Sequence, residues 1–334
     1  MFPLSGSVRV IALELCVLAA ATAALAAARP PAPGDPEFDR NYGLKAIHAD
    51  AAYAAGATGR GIVVAVIDGG VDPSQPDIGA NLSPLSTDII SGRNLPGGAA
   101  SHGVLVGSIL AARQDGKGSL GVAYGATLLS IRADSPAACP VCRFNDEDLA
   151  DAIDYAVGHG ARVINISLSG SPVPANVVFQ MALERAVDAG VVFAMAAGNG
   201  GAAQPRYPSM FATDPRFRGA ILIVGSSTKE NRLAAHSARA GAAAAVYVVA
   251  PGQDVQGNCR GSGCSTVSAT SFAAPHVSGA LALLLQAFPR MSGRDAVAVL
   301  LSTADPIGSP VESGAGLINL QKAFAKAGEA PVGR

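Results

Sequence analysis

From residue 61 the chain reads Gly-Ile-Val-Val-Ala-Val-Ile, a run with no polar position for a solvent-facing side, and it stops at Asp68. A strand that is apolar at every position is buried on both faces, as central strands of parallel sheets are. The pattern recurs at 127–132, 163–168, 191–196 and 221–224, and between these runs the apolar positions take helical spacing at 104–112, 147–159 and 177–189. Strands alternating with helices predict an α/β fold, a largely parallel central sheet with helices on both faces in three layers. Helical spacing also covers 42–55 before the first run, and 272–287, 294–302 and 320–327 after the last. Ligands of such sheets bind beyond the carboxyl ends of the strands, which directs attention to Asp68, Ser167 and Asn199.

The first residues follow a different grammar. Arg9 precedes an alanine-rich apolar stretch, 10–28, that ends in Ala24-Leu25-Ala26-Ala27-Ala28, and this predicts a secretory signal peptide cleaved near Ala26 or Ala28. Glu14 inside the stretch and its small-residue end argue against a membrane anchor, and no later segment is long and apolar enough to span a bilayer. The expected division is a signal peptide at 1–28, a proline-rich extended segment at 29–40, one catalytic domain at 41–327 and a tail at 328–334. A net charge of -1 with only 15% charged residues offers no footprint for nucleic acid or an anionic membrane. An exported monomer, periplasmic or secreted and without stable membrane insertion, is expected.

Export also bears on the cysteines. Cys139, Cys142, Cys259 and Cys264 are an even number in an oxidising compartment, so disulfides are expected. Of the three connectivities the local one, Cys139–Cys142 and Cys259–Cys264, is preferred. A zinc site is the alternative, but the two pairs lie far apart in sequence and no histidine neighbours either.

The candidate chemistry centres on Ser271, which stands where small residues lead into the long apolar run from Ala280 to Ala287. By itself a serine at a helix start is a cap. Acyl transfer would require a base within hydrogen-bond reach and a third group to orient the base. His102 follows a glycine- and alanine-rich approach and heads a helix, whereas His48, His159 and His236 have helix or loop contexts without further signals. His276, five residues after Ser271, reads as a packed structural histidine. Asp68 ends a buried strand, the place for a rigid, shielded carboxylate; an ordinary turn aspartate is the alternative, and Asp72 and Asp77 are nearby rivals. Asn199, leaving a buried strand into glycines, would display its amide to an oxyanion alongside the Ser271 N–H, or merely form a turn.

Four motifs in one order change this balance: Val64-Ala65-Val66-Ile67-Asp68, Ser101-His102-Gly103 with Val106, Ala196-Ala197-Gly198-Asn199-Gly200, and Thr270-Ser271-Phe272-Ala273-Ala274-Pro275-His276-Val277-Ser278-Gly279. Over roughly residues 40–325 the chain resembles the subtilisin-like serine peptidases, the subtilases, whose triad order is Asp, His, Ser. The N-terminal part is most similar to protease passengers of bacterial autotransporters, with a free exported protein without a barrel as the expectation. The resemblance implies a subtilisin-like fold and a serine endopeptidase with Asp68, His102, Ser271 and Asn199 at its centre, a polypeptide substrate and no required cofactor. It further implies that the segment containing Ser167, Leu168, Ser169 and Gly170 pairs with substrate backbone. With Ala196, Ala197 and Gly198 that segment would wall the pocket for the residue before the scissile bond, and small apolar walls favour a sizeable uncharged side chain.

Asp77 and Asp115 fall where some relatives place ligands of a structural calcium, opposed here by Arg113 and Lys117. The short stretch between the signal and family-like sequence leads to the expectation of folding without a cleaved prodomain. Departures from the family pattern raise a rival reading. The histidine motif lacks the usual Thr and second His at Val104 and Leu105. Ala269 and Ser169 stand where the family has glycine, so a Cβ beside the substrate path, or a φ that alanine tolerates poorly, could leave a catalytically impaired peptide-binding protein on a subtilase scaffold. An esterase or transferase built on the same triad is a third reading. Activity should fall as His102 is protonated, below about 6.5 for an unperturbed imidazole.

Overall fold

The structure, a computed structural model, describes residues 29–93, 102–135, 143–170, 177–260 and 263–329. The signal segment and Cys139 and Cys142 therefore lie outside the described residues. Three short helices open the described chain: α1 (Pro36–Arg40), α2 (Tyr42–Ala46) and α3 (Ala49–Ala54). The helical spacing over 42–55 is thus divided, because His48 takes a left-handed conformation, φ 56°, between α2 and α3. Then follow β1 (Val63–Asp68), β2 (Thr87–Asp88), α4 (His102–Ala111), β3 (Thr127–Arg132), α5 (Asp146–Gly158), β4 (Ala161–Ile166) and α6 (Val177–Asp188). Next come β5 (Val192–Ala196), β6 (Ile221–Ser227), β7 (Tyr247–Pro251) and a hairpin of β8 (Val255–Arg260) and β9 (Gly263–Val267). Helices α7 (Thr270–Ala287), α8 (Gly293–Thr303), α9 (Pro310–Ser313) and α10 (Leu320–Glu329) complete the chain.

The central sheet has seven strands in the order β2-β3-β1-β4-β5-β6-β7, all pairs parallel. Helices α4 and α7 pack together on one face, α5 and α6 on the other, giving the three-layer α/β arrangement expected from the apolar runs. Val64, Ala65, Val66 and Ile67 are buried on both sides, as an uninterrupted apolar strand requires. The chain leaves β1 toward β3 on one side, then returns across β1 to β4 and proceeds the other way. That reversal opens a crevice between the carboxyl ends of β1 and β4, which Asp68 and Ser167 flank.

Candidate active site

Asp68 ends β1 with its side chain only 2% exposed. Helix α4 begins against that strand end because position 103 is glycine: a Cβ there would lie 2.4 Å from the Gly70 carbonyl oxygen. The close approach brings His102, the first residue of α4, to Asp68, with Nδ1 2.9 Å from each carboxylate oxygen. Oδ1 also accepts the Gly69 N–H at 2.6 Å. A carboxylate only accepts, so Nδ1 carries the proton and donates, and Nε2 is left as an acceptor 2.9 Å from Ser271 Oγ. Burial disfavours the charged imidazolium, but the charge and hydrogen bond of Asp68 outweigh it and hold the His102 pKa above the usual histidine value. The onset of activity with rising pH is therefore expected above, not at, the value for an unperturbed imidazole.

Ser271 is buried in the first turn of α7. As a first-turn residue its own N–H has no intrahelical acceptor and can serve an external anion. The turn is held from outside. The Asn199 side-chain carbonyl accepts the Thr270 N–H at 3.0 Å and the Thr270 hydroxyl at 3.3 Å, and that hydroxyl accepts the Gly198 N–H at 3.2 Å. With Oδ1 committed, Nδ2 is the donor that Asn199 can offer. Thr270, inside the serine motif but given no role from sequence, is the residue that fixes this orientation.

Ala269, the position of greatest concern in sequence, has φ -171° and ψ 164°. That is ordinary extended backbone, so alanine is unstrained there. Among the described residues, left-handed non-glycine backbone occurs at His48, Asn231, Asp254 and Asn258, and Ser169 is not among them. His276 is fully buried, with Nδ1 3.0 Å from the Phe272 carbonyl and its pKa pushed down to about 4 by desolvation. It packs and does not face Ser271 Oγ.

The segments expected to wall the substrate pocket lie at the strand ends, with differences. Ser167 is buried and donates to the Ser271 carbonyl at 2.7 Å. Leu168 is half-buried and Ser169 and Gly170 are exposed, but the Gly170 N–H is already given to the Tyr207 carbonyl at 2.8 Å. Ala196, Ala197 and Gly198 are buried. Sequence reasoning missed Arg206, whose N–H donates to Ala197 O at 2.8 Å and whose methylenes lie about 3.0 Å from where a Gly198 Cβ would stand. This places an exposed arginine over the Gly198–Gly200 turn, which composition alone made uncharged.

The calcium candidates do not assemble a cation cage. Asp77 accepts backbone N–H groups of Ser119, at 3.4 Å, and of Cys259, and burial raises its pKa. Asp115 is paired with Arg113 at 2.8 Å, Arg40 donates to the Gly118 carbonyl, and Glu37 accepts the Asp115 and Lys117 N–H groups at 3.1 and 2.8 Å. These oxygens serve N–H and guanidinium donors and do not fit a calcium ion. Among the described residues no group of three or more His, Cys, Asp or Glu could hold a metal. Cys259 and Cys264 are joined as a disulfide across the β8–β9 hairpin.

A sequence profile of the subtilase family matches residues 59–324. The chain is 32% identical over 290 residues to subtilisin of Bacillus pumilus, a match covering 84% of this chain and 98% of that protein. It is 32% identical over 290 residues to subtilisin E of Bacillus subtilis, covering 84% and 70% of the two chains. Among solved structures, a protease of Pseudoalteromonas arctica superposes with a TM-score of 0.72 at 28% identity, over 89% of this chain and all of the other.

Proposed function

We propose, from the premise that this chain belongs to the subtilase family, that it cleaves polypeptides through an acyl-enzyme formed on Ser271. The chain is a serine-type endopeptidase. The observation that carries the residue assignment is the continuous line from Asp68 through His102 to Ser271 Oγ, with 2.9 Å at each junction. His102 Nε2 takes the Ser271 proton as Oγ attacks the peptide carbonyl. Asp68 holds the imidazole in the required tautomer and stabilises the imidazolium. Asn199 Nδ2 and the Ser271 N–H receive the oxyanion. The proton then passes from His102 to the leaving amine, and water, deprotonated by the same nitrogen, releases the acyl group. The chain supplies every group in this sequence, so no cofactor is required.

Other parts of the reading are coarser in their support. The alanine-rich leader supports export, and among the described residues no helix is long and apolar enough to cross a membrane. The Cys259–Cys264 bond is consistent with an oxidising compartment. Arg206 adds a cation beside the Gly198–Gly200 turn, which favours an acidic side chain in the pocket over the uncharged one expected from small apolar walls.

A fluorophosphonate probe tests the assignment. Stoichiometric labelling that maps to Ser271 and disappears in Ser271→Ala is the expected result. No adduct on well-folded protein would reduce the chain to a peptide binder, and hydrolysis of esters without cleavage of any polypeptide would make it an esterase.

A further inference from the structure

In an α-helix the carbonyl of residue i accepts the N–H of residue i+4. For Ser271 that residue is Pro275, which has none. The proline therefore orphans the carbonyl of the very residue whose hydroxyl faces His102, in a turn that is buried. A buried carbonyl without a donor is destabilising, so the question is what replaces the missing N–H.

The replacement is a side chain from the sheet. Ser167, just past the carboxyl end of β4, donates from Oγ to the Ser271 carbonyl at 2.7 Å. Its hydroxyl has a single proton, and the direction in which that proton points is set by what the oxygen accepts. Asn165 Nδ2 donates to Ser167 Oγ at 2.9 Å, and Asn165 Oδ1 accepts from Ser278 Oγ at 3.0 Å. Asn165 and Ser167 are two residues apart and share one side of their strand; Ser271 and Ser278 are seven apart and share one face of α7. The donors all run one way, from Ser278 through Asn165 and Ser167 to Ser271. All four residues are buried, so water does not compete for these bonds. Ser278 in mid-helix would ordinarily bond back to its own helix; here its hydroxyl is spent on the strand.

We infer that Ser167 is a positioning residue for the nucleophile, supplying the donor that Pro275 lacks and, with Asn165 and Ser278, clamping the first turn of α7 to β4. The inference rests on the reading of Ser271 as nucleophile. Asn199 holds the Ala269–Thr270 peptide through the Thr270 N–H, whereas Ser167 holds the Ser271–Phe272 peptide through the Ser271 carbonyl. Together they fix Oγ against His102, where small misplacements are costly to rate. The role differs from that of a pocket wall, the function first expected of Ser167: a wall acts on substrate affinity, a clamp on turnover.

A double-mutant cycle between Ser167→Ala and Pro275→Ala separates the two. Ser167→Ala is expected to lower kcat about tenfold with KM within about twofold, the size of one hydrogen bond lost in the transition state. Pro275→Ala returns a main-chain N–H to the Ser271 carbonyl, and in that background Ser167→Ala should cost less than about twofold. Ser278→Ala, at the far end, should lower kcat roughly two- to threefold without moving KM, and it serves if Ser167→Ala does not fold. A rise in KM at constant kcat in Ser167→Ala, losses that multiply in the double variant, or an unchanged kcat in Ser278→Ala would each overturn the clamp. Wild-type protein labelled by fluorophosphonate but showing multiplicative losses refutes the clamp alone. Wild-type protein that is not labelled refutes the nucleophile and the clamp with it.

Discussion

The two halves of the candidate active site are built from different physics. Asp68 and His102 form a charged, titrating pair in which a buried carboxylate meets a partly exposed imidazole. The half around Ser271 is neutral: Asn199, Thr270, Ser167 and the helix N–H groups hold one another by hydrogen bonds that do not change with pH across the physiological range. Under the proposed mechanism the first half sets when the enzyme can work, the second how well the reacting atoms are placed. Damage to the first should therefore be visible as a change in pH profile, and damage to the second as a loss of turnover at every pH.

The largest effect lies where the halves meet. Ser271→Ala or His102→Ala should each reduce kcat on a chromogenic peptide by about 10⁶, the size known for subtilisin itself, and the double variant should be scarcely worse. Asp68→Asn comes next, at about 10⁴ in kcat near neutral pH, because the amide no longer enforces the tautomer. In the neutral half, Asn199→Ala should cost about 10²–10³ in kcat, the figure for the corresponding asparagine of subtilisin, with KM little changed and the acid limb of the profile unmoved. A limb that shifts in Asn199→Ala would break the separation between the halves. The smallest effect concerns the pocket: Arg206→Ala should shift kcat/KM away from peptides with glutamate before the scissile bond by roughly tenfold relative to leucine, as one charged hydrogen bond is lost. An unchanged ratio would remove Arg206 from the pocket.

Stability and activity draw on the charged half in opposite ways. The His102 pKa is raised by Asp68, so the stabilisation from this pair is fully present below the unfolded histidine value and is lost as pH rises through the folded one. In the proposed mechanism catalysis needs His102 neutral. The enzyme gains this contribution to stability in the range where it is inactive and loses it as it becomes active.

Much of the sheet was legible because its strands are unbroken apolar runs, a signal that survives without context. Strand β7, Tyr247–Pro251, was not read, because an alanine-rich stretch, 241–246, runs into it and hides its start. The hairpin β8–β9 carries Gly, Asn and Ser at many positions and offers no apolar pattern. In the site, Asp68, His102 and Ser271, which the structure brings within hydrogen-bond reach of one another, could be picked out because they stand at element ends. The conformation of Ala269 did not, since sequence gives no φ, and the extended backbone there removes the strain that its Cβ suggested. The task of Ser167 was hidden for another reason. It depends on a proline four residues beyond Ser271 and on a strand more than a hundred residues earlier, a relation that only the packed sheet and helix create.

The most direct test of the division into a charged and a neutral half is the pH dependence of kcat/KM for the wild type and Asp68→Asn, measured on one peptide substrate. The wild-type acid limb should lie above the usual histidine value of about 6.5, and in Asp68→Asn it should move to lower pH, since burial then acts on His102 without the carboxylate to oppose it. A limb at or below that value in the wild type, unmoved by Asp68→Asn, would contradict it.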